Sequence, residues 1–187
     1  LPAGQRVLAS LFQAVTPRTA GYNTADLTKM SDTSQAVTIL LMLTGGAPGS
    51  TAGGMKVTTL AVLAANAAAV FHRREEPQLF GRRLENSAVK NAAAILLLYL
   101  GLTFAGAAVI SAAEGLPLGV CLYETASAAG TVGLTLGLTP QLGTLSQAVL
   151  ILLMFFGRVG GLTLIYAAFS GHDLTCARCP KEMITVG

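Results

Sequence analysis

Charge is scarce in this chain. Asp, Glu, Lys and Arg make up 11% of its 187 residues, against 52% hydrophobic residues and a mean hydropathy of +0.62. Soluble domains carry roughly a quarter charged residues, so there are too few here to cover a water-facing surface. Tryptophan is absent, and there are only two histidines and three cysteines. An odd cysteine count gives no disulfide framework. Cys176-Ala177-Arg178-Cys179 has the spacing of a redox or zinc pair, but no two further ligands accompany it. The net charge of +3 is small, and no basic stripe with interleaved aromatics points to nucleic acid. There is no intramembrane cluster of His, Asp or Glu of the kind a membrane enzyme would need. The chain starts at Leu1 without an initiator methionine or a signal peptide, which leads us to expect a piece of a longer protein.

What the sequence does have is long uncharged runs. Residues 91–113 contain no Asp, Glu, Lys, Arg or His, and between Glu124 and Asp173 only Arg158 and His172 interrupt. About 20 apolar residues cross a bilayer as a helix. The expected class is therefore an all-α integral membrane protein, with lipid as its first partner. His72 and His172, at the ends of apolar runs, read as interfacial polar residues.

The chain also repeats itself. A shift of 112 residues lays Ser34-Gln35-Ala36-Val37-Thr38-Ile39-Leu40-Leu41-Met42 on Ser146-Gln147-Ala148-Val149-Leu150-Ile151-Leu152-Leu153-Met154, with eight of nine positions identical. The same shift pairs Thr19 with Thr131, Gly21 with Gly133, Gly45 with Gly157 and Gly49 with Gly161. Each unit reads as a short segment (Gly4–Pro17 and Leu118–Ala129), a glycine turn, a polar link and a longer apolar segment. The short segments are too brief to cross a bilayer and suit re-entrant half-helices. Irregular backbone at membrane depth is tolerated where protein buries it or water lines it. The expected fold is thus a set of tandem, parallel helix–re-entrant helix–helix units.

Lys and Arg placement sets the orientation. Arg73, Arg74, Arg82, Arg83 and Lys90 lie between the units, and Arg178 and Lys181 lie in the tail. Beside the glycine turns the charge is mixed or acidic: Arg18, Asp26, Lys29 and Asp32 near one, Glu114 and Glu124 near the other. Residues 71–90 and the C-terminus are therefore expected in the cytoplasm, with the turns outside. The expected spans are about 33–71 (interrupted), 88–113 and 143–170. The units this implies are 1–71, a link at 72–90, 91–170 and a tail at 171–187.

Thr19-Ala20-Gly21-Tyr22 and Gly130-Thr131-Val132-Gly133 are the candidate ion-binding turns. Backbone carbonyls can replace the water shell of potassium without adding charge, and aiming successive carbonyls at one axis calls for dihedrals that glycine adopts cheaply. Thr131-Val132-Gly133 matches the start of the potassium-filter pattern Thr-Val-Gly-Tyr-Gly. The alternative is a glycine packing turn. The first long apolar segment is broken by Gly45, Gly46, Pro48, Gly49, Ser50, Thr51, Gly53 and Gly54. Proline lacks the N–H a helix needs, and each glycine costs roughly 1 kcal/mol of helix propensity. A movable gate is the functional reading of this loop, and a fixed kink the alternative. A phosphate-binding Walker loop fails, because Met55 separates Gly54 from Lys56 and Val57 follows the lysine. Arg158, near the middle of the last apolar run, costs about 2.5–3.5 kcal/mol to insert. It either faces ions or holds the loop's carbonyls, unless a carboxylate of another segment pairs it.

These motifs together resemble the C-terminal half of the membrane subunit of Ktr/Trk-type bacterial potassium uptake systems. Thr16-Pro17-Arg18-Thr19-Ala20-Gly21-Tyr22-Asn23-Thr24 is similar to the family's third filter. Gly130 to Pro140 is similar to the fourth. Gly45 to Lys56 resembles the intramembrane gating loop, and Phe156-Gly157-Arg158-Val159-Gly160 the arginine-bearing stretch of the last helix. The tail Cys179–Gly187 looks Ktr-like and suggests a native end. The resemblance implies a fourfold pseudo-symmetric pore, of which this chain would hold the third and fourth units and lack the rest. It also implies a homodimeric, multi-pass subunit of the bacterial plasma membrane, gated by a cytosolic ring of nucleotide-binding regulatory subunits. Potassium would be the transported ion, with sodium stimulation and no organic cofactor or other metal. The other functional class left open is a non-transporting assembly or scaffold fragment.

Overall fold

The computed structural model of the chain describes residues 2–74 and 76–160. Gly161, His172, Cys176, Cys179 and the tail at 171–187 lie outside the described residues. Among the described residues there are six α-helices: α1 (Ala3–Val15), α2 (Asp32–Leu43), α3 (Val57–Phe71), α4 (Asn86–Glu114), α5 (Leu118–Ala129) and α6 (Thr144–Val159).

The internal repeat is built into these elements. α1 and α5 each start just after a proline, Pro2 and Pro117, whose fixed φ suits a helix entrance. Short 3-10 turns at Leu27–Lys29 and Thr139–Gln141 stand 112 residues apart. Gln35 Nε2 donates to the Met30 carbonyl at 3.2 Å, and its counterpart Gln147 donates to the Leu142 carbonyl at 3.0 Å. The helix starts that follow are capped differently. Ser31 accepts from the Ser34 N–H at the start of α2. Gly143, in the equivalent place, has no side chain to offer. Glu114 reaches over from the end of α4 instead, accepting from the Gly143 N–H at 2.8 Å and the Ser146 hydroxyl at 2.6 Å. A carboxylate at a helix N-terminus also suits the helix dipole.

The interruption expected within 33–71 runs from Thr44 to Lys56, between α2 and α3. Its ends are tied to one another. Thr44 and Met55 form a parallel bridge, the Gly45 N–H donates to the Met55 carbonyl at 2.7 Å, and the Val57 N–H donates to the Gly46 carbonyl at 3.2 Å. The chain thus leaves the helical path and rejoins it close to where it left.

One expectation needs refining. The segment at 72–90 is not a plain link. Strands β1 (Gln78–Leu79) and β2 (Arg82–Arg83) pair antiparallel across Phe80-Gly81, both at positive φ (50° and 75°), the handedness a two-residue hairpin turn needs. The following helix already begins at Asn86 within that segment. Two-residue strands are too short to leave a period in the sequence. Arg158, near the middle of the apolar run in the sequence, lies in the last turn of α6, where a cation suits the C-terminal end of the dipole. Over the last two turns of α5, Tyr123 through Ala129 are all buried.

α5 is the hub of the packing. On one side it meets α2 and the segments after both glycine turns, through Leu27, Met42, Tyr123, Ala126, Val132 and Leu134. On another, Cys121 and Ala128 meet Ala107 and Ile110 of α4 and Leu150 and Leu153 of α6. At its end, Ala129 packs with Met55, Ile95 and Tyr99. The small residues along α5 allow its neighbours to come close. Buried threonines on these helices return their hydroxyls to their own backbone, as Thr103 does to Tyr99 at 2.7 Å and Thr125 to Cys121 at 3.0 Å. At 29 residues, α4 is the one described helix long and apolar enough to cross a bilayer; α2, α3 and α6 are shorter apolar helices. α1 leaves Val7, Leu8, Leu11 and Val15 exposed.

Gly106 of α4 tests this packing. A Cβ there would lie 2.8 Å from Leu153 Cδ1 and 3.4 Å from Thr125 Cγ2. Gly106→Val should therefore lower the thermal midpoint of the detergent-solubilised protein by overpacking, at about 1–3 kcal/mol. Gly101→Ala, with nothing within 4 Å of the added carbon, should not lower it. Equal effects of the two would contradict the placement of α4 against α5 and α6.

Candidate functional site

The two glycine turns leave α1 and α5 with the same backbone signature. Thr19 and Thr131 have φ of 63° and 53°, and Gly21 and Gly133 have φ of 72° and 89°. The pairs are the ones related by the 112-residue shift. A left-handed conformation in a β-branched residue is a genuine outlier, costing of order 1–3 kcal/mol, and such strain clusters at functional sites. Finding it twice, at equivalent positions, argues that the turns share one task.

Each turn is anchored to the end of its helix. The Thr131 N–H donates to the Ala128 carbonyl at 3.0 Å and the Val132 N–H to the Ser127 carbonyl at 2.9 Å. The Ala20 and Gly21 N–H groups donate to the Thr16 carbonyl at 3.2 and 3.3 Å, and the Thr16 hydroxyl donates to the Tyr22 carbonyl. The two turns also touch. A Cβ at Gly21 would lie 2.3 Å from the Val132 carbonyl oxygen, so this position demands glycine twice over, for its φ and for the approach of that oxygen. Among the described residues, no hydrogen bond ends on the carbonyls of Thr131, Val132 or Gly133.

The interrupted loop is divided by burial. Its roots, Gly45, Gly53 and Gly54, are buried, while its tip from Ala47 to Thr51 (Pro48, Gly49 and Ser50 included) is exposed. The roots lie directly against the second turn. A Cβ at Gly53 would lie 2.1 Å from Thr131 Oγ1, and one at Gly54 would lie 3.2 Å from Gly130 Cα. Gly54 donates its N–H to the Gly157 carbonyl of α6 at 3.2 Å. At the tip, the Ser50 hydroxyl turns back to the Ala47 carbonyl at 2.6 Å. A Cβ at Gly46 would lie 2.7 Å from Ser50 Oγ, whereas Gly49 faces open space.

Two cations hold the tip. Arg158 donates to the Thr51 carbonyl. Lys56 Nζ donates to the Ala52 carbonyl at 2.5 Å and the Ser50 carbonyl at 3.4 Å. The sequence drew attention to Lys56 only as a failed phosphate-loop lysine and as the end of the glycine loop; its place at the foot of that loop was the available signal. Gly157 was seen as the partner of Gly45 and as part of the arginine-bearing stretch, without a contact of its own. A Cβ there would lie 2.1 Å from the Ala129 carbonyl oxygen.

Glu124 was also missed, having been read as a charge of the polar link. It is 4% exposed and takes three hydrogen bonds from residues 135–139: the Thr135 hydroxyl at 2.6 Å, the Leu136 N–H at 2.9 Å and the Thr139 hydroxyl at 2.7 Å. A lone carboxylate in an uncharged segment was the signal, the same one that drew attention to Arg158. A cavity of about 560 Å³ runs along the second turn, from Glu124 and Thr135 past Thr131 and Gly133 to Arg158. The Tyr22 side chain, 74% exposed, is not drawn into these contacts. Among the described residues no three of His, Cys, Asp or Glu gather into a metal cage. The oxygens on offer at the turns are carbonyls and hydroxyls, ligands for a hard cation that exchanges readily.

Arg158→Gln should release the Thr51 carbonyl and quicken amide hydrogen exchange across residues 47–53 several-fold, without a change in α4. Unchanged exchange in the loop would mean the arginine does not hold it.

The family model of TrkH, described as a cation transport protein, matches residues 1–173. The chain is 39% identical over 182 residues to the Ktr system potassium uptake protein B of Bacillus subtilis, an alignment covering 97% of this chain and 41% of that protein. It is 38% identical over 189 residues to the potassium/sodium uptake protein NtpJ of Enterococcus hirae, covering 98% and 42%. With the Ktr system potassium uptake protein D of Bacillus subtilis the identity is 31%, over 95% of this chain and 40% of that protein. The chain thus spans about two fifths of the length of these curated relatives.

Proposed function

The chain belongs to the TrkH family of cation transport proteins, and on that premise we propose that it forms two of the four walls of a potassium pore. It is a membrane protein and not an enzyme, as its family implies. In our reading α1 and α5 are re-entrant pore helices. The turns at Thr19–Tyr22 and Gly130–Gly133 present backbone carbonyls to a dehydrated potassium ion, and the loop at Gly45–Gly54 with Arg158 gates the path beneath them. The observation that carries this reading is the doubled backbone signature, left-handed at Thr19 and Gly21 and again at Thr131 and Gly133, in two turns that touch through Gly21 and Val132. Carbonyls aimed at a common axis need unusual dihedrals.

The units then run 1–71 and 91–170, with 72–90 and 171–187 on the cytoplasmic side. Two turns make half a ring, so closing the pore takes further units. The exposed apolar face of α1 and the cavity along the second turn are surfaces that those units would cover. A homodimer with a cytosolic nucleotide-binding regulatory ring, and stimulation by sodium, belong to the same proposal. The name of the Enterococcus relative, a potassium/sodium uptake protein, keeps sodium in view as a second permeant ion.

Rubidium flux in proteoliposomes made with the intact transporter tests the reading. Potassium should compete far better than sodium, and Gly133→Ser, which puts a side chain on a residue at φ 89°, should erode that preference by at least about tenfold. Equal competition by both ions in the wild type, or no effect of Gly133→Ser, would sink the filter assignment and favour the assembly or scaffold role.

A further inference from the structure

We propose that Glu124 is a positioning residue for the turn at Gly130–Leu134, fixing the chain just beyond Gly133 and so limiting how far that turn can widen around an ion. The inference rests on reading the turn as a filter. Glu124 sits in the middle of α5, 4% exposed. Oε1 accepts from the Thr135 hydroxyl and the Leu136 N–H, and Oε2 from the Thr139 hydroxyl. Thr135 Oγ1 is held further by the Gly137 N–H at 2.9 Å. The entrance of the same turn is anchored separately, where Thr131 and Val132 donate to Ala128 and Ser127 of α5. Both ends of a short left-handed turn are therefore fastened to one buried helix. A filter that discriminates by ligand geometry needs such stiffness, because carbonyls free to relax inward would follow a smaller ion.

The repeat shows that this brace is specific to one turn. The 112-residue shift puts Phe12 in the place of Glu124, Asn23 in that of Thr135 and Leu27 in that of Thr139. The first turn instead uses a neutral contact, the Thr16 hydroxyl on the Tyr22 carbonyl. Hydrogen bonds to a carboxylate are roughly twice as strong as neutral ones. The second turn is accordingly the stiffer of the two and has the larger say in choosing between ions.

The test is the same flux competition in the intact transporter. Glu124→Gln keeps the shape of the side chain but replaces an acceptor oxygen with an N–H that faces donors. It should lower the preference for potassium over sodium by at least about fivefold. The Thr135→Val/Thr139→Val pair should cause a loss of similar size. Adding Glu124→Gln to that pair should cause a clearly less than additive further loss, because the two threonine bonds are already gone and the Leu136 N–H contact alone remains to change. A bulk structural defect would reduce the amount of folded transporter while leaving the preference of the remainder unchanged, and that result would overturn the proposal. If Glu124→Gln yields no folded protein, Thr139→Val alone should still shift the preference in the same direction, and a wild-type preference there would overturn it too. Additive losses would do the same. Gly133→Ser, measured alongside, separates the two levels. If it erodes the preference and Glu124→Gln does not, the brace is wrong and the filter stands; if neither does, the filter reading fails.

Discussion

Backbone packed directly on backbone underlies the arrangement of these elements. A Cβ at Gly130 would lie 2.5 Å from the Met42 carbonyl oxygen at the end of α2, and one at Gly157 would lie 2.1 Å from the Ala129 carbonyl oxygen. With Gly53 against the Thr131 side chain and Gly54 bonded to Gly157, α2, α5, α6 and the interrupted loop converge beneath one turn. At Gly54, Gly130 and Gly157 the nearest neighbour is backbone. In a lipid environment there is little hydrophobic force between helices, and close approach of small residues is what holds them together. That convergence places a left-handed turn, a loop and an arginine within contact of each other. Movement of the loop's roots must therefore either be small or disturb Thr131.

The loop answers this constraint with buried backbone contacts at its base and side-chain hydrogen bonds at its exposed tip. Gly45, Gly53 and Gly54 are locked among helix ends, while Ala47 to Thr51 are exposed and held through their carbonyls by Arg158 and Lys56. Hydrogen bonds from two side chains can be exchanged far more readily than buried backbone contacts can be rebuilt. A gate in this position would move its tip and leave its roots alone, sparing the turn above it.

Much of this was legible in the sequence, because the repeat and the breaks are local or periodic. The helix at Leu118–Ala129 and the interruption after Leu43 follow from apolar runs ended by glycine and proline. The pairing of Thr19 with Thr131 and Gly21 with Gly133 follows from a single offset. Other features were hidden because they depend on contacts between distant residues. Glu114 caps a helix that begins 30 residues later, replacing the serine that does the job in the first unit. Glu124 reads as a surface charge until Thr135 and Thr139 are folded back over it. Lys56 drew notice only as a failed phosphate-loop lysine, although its real partners are carbonyls four and six residues earlier. The left-handed φ of two threonines runs against residue preference, so no propensity argument would have found it.

The central claim is that the Thr19–Tyr22 and Gly130–Gly133 turns bind the permeant cation through their backbone carbonyls. Anomalous X-ray diffraction from crystals of the intact transporter soaked in rubidium addresses this directly. The account predicts an anomalous peak in coordination contact with the carbonyl oxygens of Val132 or Gly133 and with those of Ala20 or Gly21, diminished when potassium is restored in excess. Rubidium sites found only elsewhere, with these carbonyls contacting none, would contradict it.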